Sequence, residues 1–160
     1  MNTPTPEQIE TLLSTADLFN DSGTTLITTI VTALVLGSIA TGLLFRDWSR
    51  NRRRNWPAFG AIVLGIVLMV AGNVLYGAAG RIIAIEINTP RVWVGTEYEA
   101  LSNQVKMMAG SSSGWGVISL TAGMLFILLG VVGIVRNFLL RHRSASSGTS
   151  ATMPLTDKFE

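Results

Sequence analysis

Apolar residues in this chain do not alternate with polar ones at a helical or strand period but gather into three long blocks. The blocks run from about Thr24 to Phe45, from Pro57 to Gly80 and from Trp115 to Leu140. Each supplies roughly the 20 residues that an α-helix needs to cross a hydrocarbon core about 30 Å thick. Lipid offers backbone N–H and C=O groups no partner, so segments of this kind must be helical throughout. The pattern predicts an all-α membrane protein with three transmembrane helices and two short amphipathic helices on the outer side.

The first amphipathic helix has a start signal in Thr5, Pro6 and Gln8: a hydroxyl N-cap, a proline at the first helical position and an amide that returns the hydrogen bond. Ile9, Leu12, Leu13, Ala16 and Phe19 then form one apolar stripe that ends before Asp21, Ser22 and Gly23. Its polar face carries Glu7, Glu10 and Asp17 without Lys or Arg, so docking on a protein partner or on the outer connector stands level with lying on the membrane without a partner. In the second connector, Thr89 and Pro90 predict a turn and Arg91 to Val94 a short extended segment. Thr96 with Glu99 reads as another capping box, opening a helix through Tyr98, Leu101, Val105 and Met108 that Gly110 and Ser111 to Ser113 should stop.

The chain thus divides into an outer amphipathic helix (1–23), a first span (24–45), a basic connector (46–56) and a second span (57–85). An outer connector with a short helix (86–113), a third span (114–140) and a flexible tail rich in Ser, Thr and Ala (141–160) complete it.

Composition agrees with the blocks, since 48% of residues are apolar and 14% charged, too few charges to cover three such segments in water. Charge sets the orientation. Arg46, Arg50, Arg52, Arg53 and Arg54 face only Asp47 in the first connector, and the third span exits into Arg136, Arg141 and Arg143. By the positive-inside rule these ends are cytoplasmic, and the N-terminal tail and second connector lie outside. Arg46, Arg50, Arg52, Arg53, Arg54, Arg141 and Arg143 are therefore lipid-headgroup contacts rather than a nucleic-acid patch, with Trp48, Trp56 and Trp115 at headgroup level.

Small residues mark where helices touch. Ala109, Gly116, Gly123, Gly130 and Asn137 recur every seven residues in the third span. Ala33, Gly37 and Thr41 in the first span, and Ala61, Gly65, Gly72, Tyr76 and Gly80 in the second, give further close-approach faces. They can meet within the chain or meet other copies. Asn73, the amide near the centre of the second span, is expected to bond across to Thr28, Thr29 or Thr32.

Reactive groups are scarce. The hydrocarbon depth of the spans holds no Asp, Glu, Lys, Arg or His, which speaks against an ion-coupled transporter. There is no cysteine, the sole histidine is His142 between two arginines, and no carboxylates or histidines stand at metal-ligand spacing. No catalytic, metal or cofactor site and no small-molecule substrate are expected, and the chain is read as a non-enzyme. Its partners are membrane lipids and either other membrane proteins or copies of itself.

An acidic outer tail, a span, the arginine-rich connector Arg46–Arg54 and a glycine-bearing second span ending at Gly77 and Gly80 resemble the small inner-membrane and pilin-like components of bacterial conjugation and type IV secretion systems. The likeness covers about residues 1 to 85 and rests on topology and composition. It implies a structural or assembly subunit of a bacterial inner-membrane complex. Two other readings remain open: a homo-oligomeric, holin-like pore ringed by glycine-bearing helices, and an accessory subunit of a respiratory membrane complex.

Overall fold

Thr5 starts the first helix as its side chain predicts: its hydroxyl accepts the Gln8 N–H at 3.3 Å, and the Gln8 amide oxygen takes the Thr5 N–H at 2.9 Å. From this cap the computed structural model, which describes residues 3–50, 52 and 54–148, is helical almost throughout. Helix α1 (Pro6–Asp17) passes through a single π-helical turn (Leu18–Ser22) into α2 (Gly23–Ser49); α3 is Trp56–Asn88 and α4 is Glu99–Gly148. Arg53, the side chain of Arg143 and residues 149–160 lie outside the described residues.

Three helices are long and apolar enough to cross a membrane: Pro6–Ser49, Trp56–Asn88 and Glu99–His142. They exceed what a bilayer needs. The 50 residues of α4 extend about 75 Å, against a hydrocarbon core of about 30 Å. The excess accounts for both expected amphipathic helices, neither of which stands apart. The first runs on into α2 through the π-turn, and the second is simply the beginning of α4.

Gly110 and Ser111 to Ser113 do not stop that helix. The Ser111 and Ser113 hydroxyls fold back onto the carbonyls of Met108 and Gly110, both at 2.9 Å, so they sit within the helix instead of capping it. Ala109 and Ser112 are buried against the bundle, and that packing outweighs a helix-propensity deficit of about 0.5–1 kcal/mol per residue. The same continuity carries α4 eight residues past Leu140, where a flexible tail was expected. No proline lies within Glu99–Gly148 to interrupt the helix.

Buried positions follow one rule in every helix. From Ser102 to Asn137 in α4, and from Ala58 to Ile82 in α3, they fall at alternating steps of three and four, with Ala71 buried beside the α3 row. From Leu12 to Asp47 the same alternation crosses the π-turn without losing register, with half-buried Leu26 filling one step and Thr15 buried beside the row. This is the period of left-handed coiled-coil packing. The closest pairing is α3 with α4; α2 leans mainly on α3 and touches α4 less.

At the end bearing the second connector, Val92 and Trp93 are buried to 1% and 2% exposure, in one core cluster with Leu12, Ala16, Phe19, Val105 and Ala109. The amphipathic stripe of α1 thus docks on its own bundle, and Gln8 Nε2 donates to Thr89 Oγ1 at 3.1 Å. The extended segment expected at Arg91 to Val94 is instead a run of turns closed by Val92 N to Thr89 O, Val94 N to Arg91 O and Thr96 N to Trp93 O. Left-handed φ values of 61° at Arg91 and 76° at Gly95 reverse the chain and turn Val92 and Trp93 inward. The capping box expected at Thr96 shifts by one residue. The Thr96 hydroxyl donates to Trp93 O at 2.7 Å, and the Glu99 carboxylate accepts from Gly95 N at 2.8 Å.

Candidate functional site: the helix seam and the basic end

The three glycines of the seven-residue series in α4 face α3. A Cβ placed on Gly123 would stand 2.7 Å from the carbonyl oxygen of Gly65, and one on Gly65 would stand 2.6 Å from that of Gly123. One turn pair further, Gly72 and Gly116 stand in the same relation, at 2.9 Å and 3.1 Å from each other's carbonyl oxygens. Gly130 meets Ala58 O at 2.6 Å, so backbone lies on backbone over about four turns. Between these contacts the buried Ser119 hydroxyl donates to Leu68 O at 2.6 Å.

The first span joins through side chains. Ala33 is buried, and a methyl on Gly37 would land in the ring of Phe126. Thr41 is half-buried, and its hydroxyl makes no hydrogen bond within the chain. Tyr76 and Gly80 were grouped with Gly72 by steps of four. Each such step turns a helix 40° past a full circle, so the row leaves the seam by its last member: Tyr76, though half exposed, still sets its own Cβ 2.9 Å from a Cβ on Gly116, whereas nothing lies within 4 Å of a Cβ on Gly80.

Asn73 does not bond to the first span. It follows the seam residue Gly72, and one residue rotates a helix by about 100°, which leaves its amide exposed. Thr28 and Thr29 donate instead to Thr24 O and Thr25 O of their own helix, both at 2.8 Å. With Thr32 and Leu64 they line a shallow groove of about 270 Å³ between α2 and α3.

At the opposite end from Trp93, polar side chains close the bundle. Asn137, 1% exposed, donates through Nδ2 to Arg54 O at 3.1 Å and to Asn55 Oδ1 at 2.8 Å, which ties the short basic connector to α4. Arg136 Nη2 reaches Trp48 O at 3.4 Å, and its guanidinium lies 5.5 Å from the Trp48 ring centroid. Asp47, 3% exposed, belongs to the buried row of α2, and its backbone carbonyl receives the Arg52 N–H at 2.8 Å. Arg46, Arg50, Arg52, Arg54 and Arg141 stand exposed around this plug. They form a cationic rim suited to lipid phosphates.

Beyond the spans at the Trp93 end, Glu86 and Lys106 pair at 2.7 Å across α3 and α4. Tyr98 titrates above the usual tyrosine range because the Glu97 carboxylate beside it accepts its hydrogen bond and adds negative charge, with burial contributing. Glu7, Glu10, Asp17 and Asp21 are all exposed on α1 and the π-turn. Among the described residues, no three His, Cys, Asp or Glu side chains gather where they would hold a metal ion.

Sequence spacing found Asn137 and the glycines but missed Ser119, Phe126 and the Arg136–Trp48 pair. Ser112, Ser119, Phe126 and Gly133 occupy the second row of the same heptad, interleaved with the glycines. Extending the seven-residue series by its three-residue companion would have located them. Compared with known proteins, the chain matches no family model, no curated protein and no solved structure.

Proposed function

We propose that this chain is a non-enzymatic structural subunit of a larger bacterial inner-membrane complex, of the secretion or conjugation kind that its first 85 residues resemble. Its N-terminus lies outside and its C-terminus in the cytoplasm, an orientation that rests on the arginines flanking α2, α3 and α4. The observation that carries the proposal is the backbone contact between α3 and α4 from Gly72–Gly116 to Ala58–Gly130. Helices joined this closely form a stiff rod, and α4 is longer than a bilayer is thick. A rod of this kind suits holding other parts at a fixed distance from the membrane.

Gly65, Gly72, Gly116, Gly123 and Gly130 lie inside the chain's own seam, so these glycines do not support a helix-lined lumen. The acidic face of α1 is the surface offered to a partner on the outer side, and the cationic rim is the one offered to lipid. Sizing in native detergent, with identification of co-purifying proteins, tests the proposal. A stable association with other membrane proteins is expected. A monomer that retains nothing from its own membrane would overturn it, as would dye release from liposomes holding the purified chain alone.

A further inference from the structure

We propose that a second copy of this chain binds the exposed face of α3 centred on Asn73, forming a parallel two-fold dimer within the membrane. The inference goes beyond the subunit reading and does not depend on it.

Asn73 lies eight residues before Arg81, about 12 Å deeper along the helix, in the apolar part of α3. Its amide is exposed and makes no hydrogen bond within the chain. Thr28 and Thr29, the partners its sequence position suggested, donate within their own helix and make no bond to it. An amide facing hydrocarbon without partners is unfavourable, and helix association is the usual remedy.

The chemistry of the group selects the occupant. A carboxamide is donor and acceptor at once, so the same residue related by a two-fold axis completes both halves of the exchange. Copies inserted with one orientation place that axis along the membrane normal and bring α3 against α3 in parallel. A single amide in such a seam also fixes register.

The neighbouring residues allow the approach. Ile66, Val70, Gly77, Gly80 and Ala84 flank Asn73 at alternating steps of four and three, and none of them is buried. Nothing lies within 4 Å of a Cβ on Gly77 or Gly80, so a second helix can come close beside the amide. The face is separate from the seam that α3 makes with α4, so folding and pairing do not compete for it.

Self-association of the full chain in vesicles of defined lipid, followed by energy transfer between labelled copies as lipid dilutes them, tests the proposal. Asn73→Leu is expected to weaken pairing roughly tenfold, and Gly77→Leu to weaken it as well. The chain has no native cysteine, so single cysteines report geometry directly. Val70→Cys and Gly77→Cys are expected to form oxidative dimers, whereas Leu128→Cys, exposed on α4, is not. Three results would overturn the proposal: equal energy transfer for Asn73→Leu and the parent chain, cross-linking as efficient at 128 as at 77, or cross-linking of Gly77→Cys in native membranes only to a different protein.

Discussion

One methyl group added at Gly123 distinguishes a tight seam from a merely small-residue helix. In Gly123→Ala the new Cβ would meet Gly65 O at 2.7 Å, Met69 Cγ at 2.8 Å and Met69 N at 3.1 Å. The Met69 side chain can move aside, but the two backbone atoms cannot. Ordinary contact begins at 3.4 Å, so α3 and α4 must part by about 0.7 Å at this level. A gap of that size forfeits roughly a quarter to a half of the attraction between the atoms it separates. The expected loss is that of an overpacked core, about 1–3 kcal/mol. Gly77→Ala makes the same chemical change on α3 where nothing lies within 4 Å, and should stay within about 0.5 kcal/mol of the parent. Denaturant unfolding of the detergent-solubilised chain, diluted until it is monomeric and followed by tryptophan fluorescence, compares the two without interference from self-association. If Gly123→Ala proved as stable as Gly77→Ala, the backbone contact would have no energetic role.

Asn137→Ala should destabilise the chain by about 1–3 kcal/mol, because the connector loses both bonds from the buried amide. Trypsin should then cleave the connector arginines several-fold faster in inverted membrane vesicles; an unchanged rate would mean that Asn137 does not hold the loop. Ser119→Ala removes the bond to Leu68 O and should cost about 0.6 kcal/mol in an unfolding titration, with a cost above about 2 kcal/mol pointing to a role beyond that bond. A membrane-impermeant thiol reagent applied to intact cells should modify a cysteine at position 103 and spare one at 51, and the reverse pattern would invert the topology. In a Tyr76→Phe background, Glu97→Gln should lower the ionisation midpoint of Tyr98 toward the usual 10.0, read from tyrosinate absorbance. The raised value favours the neutral phenol in the folded chain, so its contribution is complete below that usual value and is lost as pH rises through the raised one.

The three spans were legible because length and hydropathy suffice for them, and the Thr5–Gln8 cap because its donors and acceptors are local. The glycine row of α4 was legible because a seven-residue repeat survives in any surroundings. Its companion row was not. In a soluble helix Ser112 and Ser119 would read as surface, but in lipid the outside is as apolar as the inside, and burial is marked by size instead of polarity. Asn73 was misplaced for a related reason: a polar residue in a span invites an internal partner, while its register, one step past Gly72, turns it away. The serine run and the Arg91–Val94 segment were misread because local propensity is weaker than packing around Trp93 and along the seam.

Unequal joints also imply unequal motion. Carbonyl against glycine fastens α3 to α4, whereas α2 meets that hairpin through side chains, with Phe126 seated at Gly37 and the threonine groove open beside it. The hairpin should therefore move as one body, and α2 should rock against it about the Gly37 pivot while its far end stays tethered through α1 to the Trp93 cap. Amide exchange would then be faster along the threonine side of α2 than anywhere on the hairpin at the same depth.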